Sequence, residues 1–274
     1  MFAPSIQLNI SKLCCPLLGR QSGENTLGFE NFIGLAAMAA FLVGLSKGGL
    51  PAIGMLAVPL LSLVMSPVKA AVLLLPIYVV SDVAGVWLYR RDFSAPNLRI
   101  LLPAGILGVV VGWLTASLVS DRAITLMIGL MGAGFCLHLW LRKQHNAPPQ
   151  LPSFGKGSLW GVLAGFTSFI SHAGAPPFQI YMLPQKLPKA QFAGTATLVF
   201  AVINAAKILP YQNLRPYSDE TLWSAATLVP FALTGAVCGA WLTRRIADVW
   251  FYRVVQVTLF AVSLKLIADG VMTH

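Results

Sequence analysis

Two basic residues occupy matching places in two interrupted apolar segments of the chain. Lys47 lies in segment 45–51, Leu-Ser-Lys-Gly-Gly-Leu-Pro, and His172 lies 125 residues later in segment 169–177, Phe-Ile-Ser-His-Ala-Gly-Ala-Pro-Pro. A buried lysine needs an anionic partner or a bound anion, and a histidine can donate hydrogen bonds to an anion or exchange a proton. The pair therefore predicts a site for a small anion. The alternatives are that Lys47 reaches the membrane surface through its long stem and that His172 is a hydrogen-bonded core residue.

Further polar residues within apolar runs extend this candidate site. Asp82 could pair with Lys47 or Lys207, or carry a coupling proton. Lys207 could instead reach the interface, and Asn204, about one turn away, could simply join helices. The candidate site contains two lysines and one histidine but only one aspartate, which favours binding of an anion. Helices that begin after each break would add backbone N–H donors. The predicted substrate-binding residues are Ser46, Lys47, Gly48, Gly49, Ser171, His172, Gly174, Asn204 and Lys207, with Asp82 as the ion-pair or coupling residue and Gln179, Thr195 and Thr197 as weaker candidates.

The composition indicates that lipid covers much of this chain. Of its 274 residues, 57% are hydrophobic and only 10% are charged, and the mean hydropathy is +0.74. Soluble domains carry about 25% charged residues, so a water-facing surface cannot be built here. The net charge of +10 comes mostly from residues in short loops between apolar runs, which is typical of topology signals and contact with anionic lipid rather than nucleic acid.

The four cysteines give no sign of a metal or redox site. They lie at positions 14, 15, 136 and 238, with no CxxC spacing. Cys14 and Cys15 could be lipidated, although an absence of any role is the favoured interpretation. No metal and no cofactor are therefore expected.

Apolar runs of spanning length predict six ordinary transmembrane helices and two broken ones. The ordinary runs are 69–89, 100–119, 122–141, 190–210, 221–243 and 249–270. The interrupted regions are 32–66 and 158–185. A straight helix of about 35 residues would extend roughly 52 Å, well beyond a hydrocarbon core of about 30 Å. Glycine and proline stand where the break is required, which favours a hairpin that re-enters the membrane over one kinked span.

The two halves of the chain match each other in order. Pro103, Gly108 and Gly112 recur as Pro230, Gly235 and Gly239, and the breaks recur in the same sequence. The predicted organisation is an N-terminal extension at 1–31, a first membrane repeat at 32–145, a linker at 146–156 and a second repeat at 157–274. Basic loops at 90–99, 142–156 and 244–253 are expected on the cytoplasmic side. That placement requires each repeat to hold one hairpin, which does not cross the membrane, and three spans. Because three is an odd number of crossings, the second repeat starts on the opposite side of the membrane and is inverted relative to the first.

The duplicated Gly/Pro segments at 45–51 and 169–177, with the loop 89–92 (Tyr-Arg-Arg-Asp), resemble the sulfite exporter TauE/SafE family. The resemblance covers nearly the whole chain from about residue 32. It implies an all-α polytopic membrane transporter that works as an exporter in the bacterial inner membrane. The implied substrates are sulfite, sulfoacetate and related organic anions. Leu50 and Pro51, with Ala173 and Ala175, depart from the family's glycine-rich pattern.

The residues themselves favour alternating access between the two halves, with proton coupling through Asp82 and His172 as a further hypothesis. They do not separate sulfur oxyanions from carboxylates. The expected partners are a small anionic substrate and membrane lipid, without nucleic acid, and the sequence allows a homodimer. A membrane assembly factor would need larger loops. An intramembrane enzyme is disfavoured because Ser171 and His172 are adjacent, and adjacent side chains on a helix diverge.

Overall fold

The computed structural model describes residues 26–61, 63–65, 67–116, 121–141, 148–214 and 216–272. Cys14, Cys15 and most of the predicted N-terminal extension lie outside these residues. The described part of the chain is all-helical, with no strand, and contains ten α-helices. They are α1 (Thr26–Lys47), α2 (Ala57–Leu61), α3 (Pro67–Leu88), α4 (Ala95–Thr115), α5 (Asp121–Leu141), α6 (Phe154–Ser171), α7 (Ala175–Met182), α8 (Lys189–Leu214), α9 (Asp219–Arg245) and α10 (Asp248–Met272).

Five helices in the described residues are long and apolar enough to cross a membrane. They are α3, α4, α8, α9 and α10. The predicted all-α polytopic membrane protein is thereby confirmed. The sixth expected span corresponds to α5, whose described apolar stretch, Thr125–Leu141, is shorter than the other five.

Both interrupted regions break and fold back on themselves. After α1, the chain turns into a 3₁₀ segment (Ile53–Leu56) and α2, and both pack against α1. We call residues 26–61 the first hairpin. After α6, the chain turns into α7 and a 3₁₀ segment (Leu183–Gln185), and α7 packs against α6. We call residues 154–185 the second hairpin.

The two ends of the second hairpin meet. The backbone N–H of Gln150 donates to the carbonyl of Pro184 at 3.1 Å, and the N–H of Ser153 donates to the hydroxyl of Tyr181 at 3.3 Å. A segment that starts and finishes at the same end of the bundle does not cross it. The geometry therefore favours the fold-back over a single kinked span.

Backbone conformation explains where each break falls. Gly49 has φ of 118° and His172 has φ of 54°, both in the left-handed region. Glycine adopts this region without steric cost, which allows the chain to turn just after Lys47. At His172 a left-handed residue caps the C-terminus of α6, and histidine is among the side chains that tolerate this conformation best.

Helix packing is symmetric on exchange of the two halves. The helix α1 packs along α9, and its counterpart α6 packs along α4, while α5 packs on α10 and α3 on α8. A Cβ added at Gly44 would lie 1.9 Å from the carbonyl oxygen of Ala232, and one added at Gly165 would lie 2.0 Å from that of Gly105. Glycine is therefore required at both crossings, since any side chain would push the helices apart.

The helix ends that flank two of the basic loops, 90–99 and 244–253, meet at one end of the bundle. Arg244, at the end of α9, donates to the carbonyl of Leu88 at the end of α3 at 3.0 Å. Lys189, at the start of α8, contacts the carbonyl of Ile246 and lies 3.4 Å from Asp248. These contacts bring the basic residues that follow α3, precede α8 and flank α10 together. Their cytoplasmic location stays a prediction.

Candidate functional site

A buried ion pair joins the first hairpin to α3. The Lys47 ammonium lies 2.7 Å from Oδ1 of Asp82, and the Asn204 amide on α8 donates to Oδ2 of Asp82 at 2.7 Å. Lys47 is only 4% exposed, so it does not extend to the membrane surface. Asp82 thus pairs with Lys47 rather than Lys207, and both of its carboxylate oxygens have partners.

Lys207 is a second buried ammonium, and it has only neutral hydrogen-bond partners. It is 1% exposed, and its Nζ donates to the carbonyl oxygen of Ser168 at 3.1 Å and to the Ser168 hydroxyl at 3.0 Å. The ion pairs within the described residues are Lys47–Asp82, Lys189–Asp248 and Lys265–Asp269. The Lys207 charge is therefore not neutralised by a direct ion pair in the described part of the chain.

His172 stands between two tyrosine rings. Its ring centroid lies 5.7 Å from that of Tyr78 and 5.9 Å from that of Tyr211. Its Nδ1 lies 3.5 Å from the Tyr211 hydroxyl, at the limit of a hydrogen bond. Its Nε2 is buried and has no hydrogen-bond partner among the described residues. This nitrogen is available to a ligand.

These side chains surround a cavity at the meeting point of both hairpins, α3 and α8. Its volume is about 40 Å³, and a single water molecule requires about 10–15 Å³. Of the predicted site residues, six line it: Ser46, Lys47, His172, Gly174, Asn204 and Lys207. Asp82 contacts two of these lining residues, Lys47 and Asn204.

The remaining predicted residues build the breaks instead of the cavity wall. A Cβ added at Gly48 would lie 2.4 Å from Cα of Gly239, and one added at Gly49 would lie 2.7 Å from Oγ1 of Thr243. Ser171 donates to the carbonyl of Thr167 at 3.2 Å. Gly48 and Gly49 thus pack tightly against α9, whereas the Ser171 bond is internal to α6.

The expected helix-start donors are few at the second break. Gly174 and Ala175 line the cavity at the start of α7. The next two residues are Pro176 and Pro177, and proline carries no N–H. The first turn of α7 therefore offers fewer amide donors than we expected.

The contacts also correct the register between the halves. Tyr89 donates to the carbonyl of Gly48 at 2.6 Å, and Tyr211 donates to the carbonyl of Phe169 at 3.1 Å. Gly48 and Phe169 differ by 121 positions, as do Gly44 and Gly165. In this register the counterpart of Lys47 is Ser168, rather than His172. The offset of 125 applies to the breaks, because α6 continues further than α1 before it ends.

Tyr78, Ser168 and Phe200 line the cavity and were missed by the sequence analysis. The Lys47 Nζ lies 5.0 Å from the Tyr78 ring centroid, and the Tyr78 hydroxyl donates to the Gly54 carbonyl at 2.7 Å. A signal existed for Tyr78, because it lies four residues before Asp82 on one face of α3. Thr197 donates to the Lys47 carbonyl at 3.1 Å and also lines the cavity.

The fold and this site define a polytopic helical membrane protein with a buried cavity lined by two lysines. A family model, sulfite exporter TauE/SafE, matches residues 36–266, so the chain belongs to that family. This confirms the resemblance identified from the Gly/Pro segments. No curated protein and no solved structure matches the chain. Members of the family are transporters, which is consistent with a non-enzymatic role.

Proposed function

We propose that this protein exports a small anion, either a sulfur oxyanion such as sulfite or an organosulfonate such as sulfoacetate, across the bacterial inner membrane. The observation that carries the proposal is the buried Lys207 ammonium, which faces the cavity without a carboxylate partner. An uncompensated buried charge is costly, and a bound anion would remove that cost.

The donors around the cavity suit an oxyanion. An ammonium group has three protons, and Lys207 directs two hydrogen bonds to Ser168, which leaves one for a substrate oxygen. His172 Nε2 is buried and unpartnered, and in the tautomer that carries its proton there it can donate a second bond. A cation would meet two ammonium groups here, so the charge arrangement disfavours cation transport.

The fold supplies a plan for alternating access. Transporters with inverted repeats carry broken helices that meet near mid-membrane, and the substrate binds between the repeats. Here both hairpins contribute residues to one cavity, and the helix packing is symmetric on exchange of the halves. In the proposed cycle, one half rocks against the other and opens the cavity to each side in turn.

Proton coupling is proposed through Asp82 and His172. Asp82 links Lys47 to Asn204, so protonation of its carboxylate would break the ion pair with Lys47. The Tyr211 hydroxyl lies 3.5 Å from Nδ1 of His172 and could pass a proton to it. Substrate and membrane lipid are the proposed partners, and a homodimer is a compatible assembly.

Flux into proteoliposomes tests this function. We expect purified protein to carry ³⁵S-sulfite or labelled sulfoacetate into vesicles well above the rate in protein-free vesicles. Short carboxylates such as acetate serve as the comparison class, because they match the charge but lack the sulfur oxyanion. If the protein carries carboxylates but neither sulfite nor sulfoacetate, its substrate is a carboxylate. An absence of flux for every anion would contradict the transport proposal.

A further inference from the structure

We propose that the cavity selects anions with a single negative charge, such as hydrogensulfite or a sulfonate, over dianions such as sulfate. This inference rests on the proposed function and names the charge class of its substrate. It follows from a count of the acidic and basic side chains around the cavity, each in its charged form.

Three acidic or basic side chains are found in the cavity wall or in direct contact with it. They are Lys47 and Lys207 in the wall and Asp82 behind it. His172, Tyr78 and the neighbouring Tyr211 are the further titratable groups that face them in the described chain. With both lysines protonated, Asp82 ionised and the imidazole neutral, the site carries one net positive charge.

The hydrogen bonds hold this charge in place. Asp82 has a partner on each oxygen, so it cannot move to Lys207 without losing Lys47 or Asn204. Asn204 lies 122 positions after Asp82, the same separation as Tyr89 and Tyr211, so it is the counterpart of Asp82 in the second half. A neutral amide therefore stands where symmetry would place a second carboxylate. This difference between the halves leaves Lys207 unneutralised.

One net positive charge balances one negative charge on the substrate. A dianion would leave a negative charge without a partner in a buried site, which is strongly unfavourable. Sulfite exists both as hydrogensulfite and as the dianion near neutral pH, so it can enter in its singly charged form. Sulfonates carry one charge throughout this range.

Methanesulfonate and sulfate form a matched pair of probes. Both are tetrahedral at sulfur and similar in size. They differ at one position, which is a methyl group in methanesulfonate and a charged oxygen in sulfate. The measurement is inhibition of ³⁵S-sulfite uptake in proteoliposomes at constant pH and ionic strength. We expect half-maximal inhibition by methanesulfonate at a concentration at least ~10-fold lower than by sulfate, the ratio that a difference of about 1.4 kcal/mol produces. Equal inhibition, or stronger inhibition by sulfate, would overturn the inference.

Two isosteric variants change the charge count without changing the volume. Asp82→Asn raises the net charge and should shift the inhibition ratio toward sulfate. Asn204→Asp lowers the net charge to zero and should weaken inhibition by methanesulfonate. Size-exclusion chromatography checks that each variant is folded. If only one of the two variants is folded, that variant alone is sufficient for the test. An unchanged ratio in a folded variant would refute the charge count, even with sulfite flux intact. If the wild-type protein carries no anion at all, the proposed function is refuted, and this inference with it.

Discussion

Tyr89 and Tyr211 tie the two hairpins to the bundle by the same contact. Each hydroxyl donates to a carbonyl near the end of the long hairpin helix, at Gly48 in the first half and Phe169 in the second. Tyr89 directly follows α3, and Tyr211 lies in the last turn of α8. The two tyrosines are 122 positions apart, so the contact is duplicated together with the fold. A hairpin that moved relative to the helix beside its tyrosine would break this bond.

Removal of these hydroxyl groups should weaken each hairpin. We expect Tyr89→Phe and Tyr211→Phe each to lower the free energy of unfolding by about 0.5–1.5 kcal/mol, the typical net value of one hydrogen bond. Thermal unfolding in detergent measures the loss. Tyr217→Phe is the matched control, because the Tyr217 hydroxyl is buried without a hydrogen-bond partner among the described residues. A loss in the control as large as in the other two would show that the bonds contribute nothing specific.

The Lys47–Asp82 ion pair predicts that the effect of a substitution at one residue on stability depends strongly on the other residue. Lys47→Met leaves the Asp82 carboxylate buried without its cation, and loss of one partner of a buried pair costs about 3–5 kcal/mol. We therefore expect Lys47→Met to unfold at a clearly lower temperature than wild type. Combined with Asp82→Asn, the same change should recover much of the stability. A double variant no more stable than Lys47→Met would contradict the pairing.

The role of His172 in proton coupling can be separated from its role in the break. Asparagine tolerates the left-handed backbone found at position 172, so His172→Asn keeps the turn and removes the titrating ring. We expect methanesulfonate transport by the wild-type protein to respond to an imposed pH gradient and transport by this variant to lose that response. Methanesulfonate is the substrate of choice because its own charge is constant. The same gradient response in both proteins would exclude His172 as the proton carrier.

The glycine crossings predict matched effects in the two halves. Gly44→Ala and Gly165→Ala place a methyl group within 1.9 Å and 2.0 Å of a backbone oxygen, so the helices must separate. We expect each change to cost roughly 1–3 kcal/mol, as overpacked cores do. Gly34→Ala on α1 is the control, because no atom lies within 4 Å of its added Cβ. Unfolding midpoints measure all three, and equal stability of the crossing variants and the control would refute the close approach.

The sequence predicted the membrane fold because apolar run length and the absence of charge determine it locally. It also located both breaks, since Gly49 and the Pro176–Pro177 pair are visible without a structure. It did not predict the partner of Asp82, because Lys47 and Lys207 lie on different helices and only packing decides between them. The match of Lys47 with His172 describes the Gly/Pro pattern of the breaks. In the tyrosine contacts of the two hairpin helices, the counterpart of Lys47 is instead Ser168.

The central claim is that an anion binds in the cavity against the Lys207 charge. The most direct test is initial ³⁵S-sulfite uptake by proteoliposomes that contain Lys207→Met. Lys265→Met is the matched control, because Lys265 pairs with Asp269 on α10 and does not line the cavity. We predict that uptake falls at least ~10-fold in Lys207→Met, equivalent to about 1.4 kcal/mol, and stays near the wild-type rate in the control. Wild-type uptake by folded Lys207→Met protein would contradict the account.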